Sequence, residues 1–356
     1  MKKLIISTLI FFFSITLPTA QAENTYTKIP GENYFNNTVD DITSGDFSLA
    51  PDKIISYIVN TFLDELTQSR SLLFTIFVIA LVSGTLNVMT HSKSDVGNTA
   101  FFACFALMTI SVVNLVITAA GYGNDIINEM STFVTKLAPM LSLLLATSGY
   151  GVSAASFYPV FSASVYFVCL ICQRCIIPLV YAGFVSGILN NLSSRMQLNN
   201  FSRLIKAFNK WILTGTLTIF SAINAIYGFC TPSIDSVAMK TTKFAVSSIV
   251  PVVGGFLADS IETVMGGTKL MKNAVGTAGI ISLLIACAIP CLKVLSISIM
   301  LKITSALIEP VSDKKYADML SESADAITTV FAMMVIVAML FILSIAIMIG
   351  STNTNI

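Results

Sequence analysis

The chain has 356 residues, of which 55% are hydrophobic and only 11% charged; its mean hydropathy is +0.83 and its formal net charge is +1. Soluble domains carry about 25% charged residues, so a soluble globular domain is excluded, and the near-neutral balance gives no footprint for nucleic acid or a highly charged substrate. The apolar runs are continuous rather than alternating, which excludes a β-barrel and predicts an all-α, polytopic helical membrane protein.

Residues 1–22 read as a cleavable signal peptide. Lys2 and Lys3 precede the apolar run Leu4 to Leu17, Pro18 breaks it, and Ala20-Gln21-Ala22 has the small-x-small form of a cleavage site. Residues 23–70 form an acidic extracytoplasmic segment. Within it Asp52 can cap an amphipathic helix whose apolar positions Ile54, Ile55, Ile58, Val59, Phe62, Leu63 and Leu66 recur at three- and four-residue steps. Such a helix either lies at the interface or docks an extracytoplasmic partner.

Residues 71–350 form the membrane domain, and 351–356 a short tail. Spans are expected at Ser71 to Met89 and Thr99 to Ala120, followed by an amphipathic piece from Gly121 to Lys136 and a short apolar piece ending at Gly149-Tyr150-Gly151. Ser153 to Ile171 and Cys175 to Leu192 read as two runs separated by Gln173 and Arg174. The cluster Arg195, Arg203, Lys206 and Lys210 has no acid among it and marks a cytoplasmic loop by the positive-inside rule. Trp211 to Phe229 is a further span, and Phe244 to Ala258 is short enough to be a half-helix. Ala274 to Leu307 is interrupted at Pro290 and Lys293. An acid-rich loop, Glu309 to Asp325, leads to the last span, Ala326 to Ile349. The sum is about seven transmembrane spans with discontinuous or re-entrant segments.

The stretch from Val250 to Lys315 is the most unusual. Gly254-Gly255, Gly266-Gly267 and Pro290 interrupt an apolar sequence that also carries Asp259, Glu262, Lys269 and Lys272. On a continuous helix these four charges would fall within roughly 140° of arc, although Gly266-Gly267 argues for a break. Asp259 with Lys272, and Glu262 with Lys269, could line a polar path; the same charges could instead face water from a surface loop or an interfacial helix.

The wording Pro251-Val252-Val253-Gly254-Gly255-Phe256-Leu257-Ala258-Asp259, then Lys272-Asn273-Ala274-Val275-Gly276, then Glu309-Pro310 with Asp313, resembles the signature of the stage III sporulation protein AE family. The resemblance implies a non-enzymatic membrane subunit of the sporulation channel or secretion-like complex, placed in the mother-cell membrane around the forespore and needed after engulfment. It implies as partners the other third-stage A operon proteins and a forespore membrane protein across the intermembrane space, besides membrane lipid. It implies no cofactor. Pro251, Gly254, Gly255, Asp259, Lys272, Asn273, Gly276, Pro310 and Asp313 match the signature and are the candidate gate or lining residues.

Other readings remain open. The apolar body alone also fits a stand-alone small-molecule transporter or a homo-oligomer. Cys169, Cys172 and Cys175 form a C-x-x-C-x-x-C run that suits either packing on one helical face or a membrane thiol oxidoreductase; a metal cluster would need a fourth ligand, and His91 is the only imidazole. Gly183 and Gly187 form a GxxxG pair suited to close helix contact. The chain holds no H-E-x-x-H, G-x-S-x-G or G-x-x-x-x-G-K-[ST], so no catalytic or metal-ligating residue is assigned.

Overall fold

The computed structural model describes residues 74–83, 85, 95–192, 199–249, 254–310 and 312–350. The signal segment, the acidic segment with its amphipathic helix, the loop with His91 and the tail lie outside the described residues.

The described chain is helical throughout. A short apolar helix α1 (Phe74–Ser83) precedes α2 (Asp95–Thr147). Next come α3 (Gly151–Ile171), one π turn (Cys172–Ile176), α4 (Ile177–Leu192), α5 (Asn199–Ile249), α6 (Gly254–Ile308) and α7 (Lys314–Gly350). Because the π turn runs straight from α3 into α4, these two make a single rod. Among the described residues five helices are therefore long and apolar enough to cross a membrane. The expected count of about seven is not reproduced among the described residues.

Polar residues that read as loops in the sequence lie inside helices. α2 carries Asp125, Glu129, Lys136 and Pro139 without ending, and Gln173-Arg174 sits in the π turn. Gly266-Gly267 and Pro290 lie within α6, and most of the acid-rich stretch before Asp325 forms the first turns of α7. No break or re-entrant segment occurs within 254–308. At 1.5 Å per residue, α2, α5 and α6 are each roughly 75–85 Å long, against about 30 Å for a bilayer's hydrocarbon core. One such helix can hold two apolar runs with a polar belt between them. At mid-height Gln173 Nε2 donates to Asn128 Oδ1 at 2.7 Å, and Lys293 Nζ lies 5.8 Å from the centroid of the Tyr122 ring.

The rods run up and down. At one end α2 closes on Ser148-Gly149-Tyr150. Gly149 takes φ +89°, its N–H donates to Ala146 O at 3.0 Å, and Tyr150 N–H donates to Leu145 O at 3.1 Å. This is the Schellman arrangement, and the left-handed position favours glycine. The start of α3 is capped from a distance in sequence: Asp235 of α5, 2% exposed, accepts from Val152 N–H and Ser153 N–H, both at 2.8 Å. A carboxylate there satisfies orphan donors and suits the positive end of the helix dipole. At the opposite end, Tyr316 of α7 donates its hydroxyl to Phe101 O of α2 at 3.0 Å and accepts from Ser83 of α1 at 2.7 Å.

α7 is the axis of the bundle. Its buried residues Tyr316, Leu320, Ser323, Ile327, Val330, Met334, Val337, Phe341, Ser344 and Met348 recur at alternating steps of four and three, the seam spacing of packed helices. Glycines let neighbours approach it. A Cβ at Gly123 would meet Val330 and Met333, and one at Gly228 would meet Ile347. The GxxxG pair serves two neighbours: Gly183 faces Ile205 of α5, whereas Gly187 faces Glu322 of α7.

Candidate functional site

The signature residues lie along the α6–α7 hairpin. Pro251 is outside the described residues. Gly254, Gly255 and Asp259 belong to the backbone of the first turns of α6; the side chain of Asp259 is outside what is described. Lys272, Asn273 and Gly276 meet the far end of α7. Pro310 and Asp313 form the turn at the other end, roughly 55 Å away along α6 at 1.5 Å per residue. The signature thus marks two ends of one hairpin, not one compact site.

At the first end Lys272 is 0% exposed, and its Nζ donates to Ile349 O at 3.1 Å. Ile349 is next to the last residue of α7, so its carbonyl is one of the four that a helix leaves without an internal partner. An ammonium there satisfies the carbonyl and suits the negative end of the helix dipole. One turn on, Gly276 leaves room for Ile349: a Cβ at that position would collide with the Ile349 side chain. Between them Asn273 is partly buried, and its Oδ1 has no hydrogen-bond donor among the described residues.

The continuous helix decides one of the expected pairings. Asp259 and Lys272 are thirteen residues apart in the unbroken α6, a rise of about 20 Å. That separation of the two backbone positions does not bring the expected pair together. Lys269 lies with its Nζ 5.4 Å from the centroid of the Tyr150 ring, beside the α2–α3 turn. The segment is helical rather than a loop, and within it Lys272 is fully buried.

At the second end Asp313 caps α7. Its Oδ1 accepts from Lys315 N–H and its carbonyl from Tyr316 N–H, both at 3.0 Å. An aspartate just before the first helical residue is the preferred chemistry for this position. Pro310 is exposed in the turn. Between the ends, hydroxyls join the two helices: Ser298 Oγ donates to Ala324 O at 3.0 Å, and Ser305 Oγ to Ala317 O at 2.7 Å.

The cysteine run divides. Cys169 and Cys172 are buried and Cys175 is exposed. The π turn, Cys172–Ile176, begins within the run and changes the rotation per residue there. The closest thiols are instead Cys287 and Cys291 of α6, 3.3 Å apart and buried. Their one-turn spacing was visible in the sequence, but nothing marked it as a contact.

A second polar group was missed because it falls in the stretch read as a loop. On α7, Asp325 receives Lys206 of α5 at 3.0 Å and Lys302 of α6 at 2.6 Å, all three side chains being half-exposed. One turn earlier, Glu322 turns towards Gly187 of α4.

The chain matches the family described as Stage III sporulation protein AE over residues 34–352. It belongs to the stage III sporulation protein AE family. A relative with that name from Bacillus subtilis (strain 168) is 26% identical over 312 residues, covering 87% of this chain and 78% of the relative. No solved structure matches. The family match takes in the whole described bundle, so α2 to α7 are the family's body and the α6–α7 hairpin lies within it.

Proposed function

We propose that this chain is a non-enzymatic integral membrane subunit of a sporulation channel or secretion-like complex linking mother cell and forespore. The observation that carries the reading is family membership over nearly the whole chain, 34–352. Five helices of spanning length and apolar character support a place in the membrane. On this reading α7 and its neighbours form a platform or part of a pore in the mother-cell membrane around the forespore. The acidic segment 23–70 faces the intermembrane space and its partners, the other third-stage A operon proteins and a forespore membrane protein.

The signature residues then act on the hairpin. Lys272 and Gly276 fix the end of α7, and Asp313 fixes its start. They hold the central helix in register instead of lining a path. The test is cross-linking of the full chain in sporulating cells, followed by identification of what co-purifies. Capture of other membrane proteins of the same operon, with spore development arrested after engulfment when the gene is deleted, is the expected result. Normal spores from the deletion strain, or a chain that cross-links to none of those proteins, would overturn the reading.

A further inference from the structure

We infer that Glu322 is an exchangeable site for a single monovalent cation, a proton or an alkali-metal ion, at the α4–α7 interface. The inference rests on this chain's own geometry and does not depend on the sporulation assembly proposed above. Oε2 of Glu322 is buried and has no hydrogen-bond partner among the described residues. It points at Gly187, where the missing side chain leaves the notch that receives it; a Cβ there would occupy the oxygen's place. A carboxylate oxygen shut away from water with no donor is unfavourable unless a proton or a cation neutralises it.

A second group points to the same occupant. Asn191 stands one turn beyond Gly187 on the same face of α4, and Asp318 stands one turn before Glu322 on the antiparallel α7. Asn191 therefore falls level with Asp318, one turn along the interface from the Gly187–Glu322 contact. Asn191 is 6% exposed, and its Nδ2 also lacks a partner. Asparagine offers an oxygen as well as the amide, so a flip of this side chain supplies a neutral ligand within one turn of both carboxylates.

The surrounding charges favour a positive occupant. The charges that act on Glu322 are Lys206 of α5 and Asp318 and Asp325 of α7. Lys206 and Lys302 are both engaged by Asp325. α4 contributes no charged residue. Both lysines are directed at Asp325, and Asp318 adds a further negative charge beside Glu322. Ionisable groups inside apolar bundles are retained where they carry protons or ions. A purely structural polar group would be expected to find a fixed partner, as Asp235 does on the α3 N-terminus.

The experiment uses the full-length protein in detergent micelles and dicyclohexylcarbodiimide, which adds to protonated carboxyls in apolar surroundings; the modified residue is located by peptide mass mapping. Exposed Glu309 serves as the internal control and Glu322→Gln as the site control. If the occupant is a proton, labelling of Glu322 falls about tenfold per pH unit above its midpoint and ignores sodium and potassium. If it is an alkali-metal ion, labelling at fixed pH falls several-fold on adding sodium or potassium chloride, compared with N-methylglucamine chloride at equal ionic strength. Thermal midpoints of wild type and Glu322→Gln are measured over the same conditions. A response of wild type that the variant loses supports the site even where the reagent does not reach it. Glu322 labelling that is absent or constant, together with identical thermal responses in wild type and Glu322→Gln, would overturn the proposal.

Discussion

Two buried polar places on the same central helix are built in opposite ways. At the end of α7, Lys272 is fully buried and donates to a helix-terminal carbonyl. On α7 itself, 27 residues before Ile349, a buried carboxylate oxygen of Glu322 faces a glycine notch with no donor among the described residues. The first charge completes a helix end, so its partner is supplied by the backbone itself. The second has no such partner and is open to an exchangeable one. Charge inside an apolar bundle is therefore not one signal; what decides its meaning is whether a fixed group already answers it.

The comparison can be broken most sharply at Lys272. Lys272→Glu places a carboxylate against the negative end of α7 and removes the donor to Ile349. Loss of about 3–5 kcal/mol is expected, in the range for breaking a buried charged contact, and thermal unfolding in detergent would read it. Lys272→Met, which keeps the volume, should recover much of that loss. If the two variants melt together, the helix-end role is wrong. Gly276→Val should follow, at about 1–3 kcal/mol from overpacking against Ile349, with the same assay. Asp235→Ala removes a buried cap from α3 and should cost about 1–2 kcal/mol; limited proteolysis at the Ser148–Gly151 turn would show whether that end loosens first. The smallest effect belongs to Lys206→Ala. Its pair with Asp325 is half-exposed, so less than about 1 kcal/mol is expected, shrinking further with added salt.

The sequence made the class legible because composition alone requires lipid, and the wording around residues 251–276 and 309–313 carried the family. The seam on α7 was also open to reading, since its apolar positions keep the three-four spacing. The number of rods was not. Gln173, Arg174, Glu129 and the Gly266-Gly267 pair have the composition of loops, and only packing shows that helices twice as long as a bilayer core run through them. Local propensity is a weak prior where neighbouring helices cover the backbone. Glu322 escapes notice for the same reason: an acid-rich stretch reads as a loop. Asp235 could not be foreseen as the cap of α3, because the two lie 82 and 83 residues apart in sequence.

Among the described residues five continuous rods pass up and down, so that the α2–α3 turn and the α6–α7 turn lie at opposite ends. The most direct measurement is labelling of single cysteines by a membrane-impermeant maleimide in a variant with the native cysteines replaced. Gly151→Cys is suited to one end, since nothing lies within 4 Å of its Cβ, and Pro310→Cys to the other, where the residue is exposed. The account predicts that each is labelled from a different side of the membrane, Pro310→Cys from the side that holds the basic cluster Arg203, Lys206 and Lys210. Labelling of both positions from the same side would contradict it.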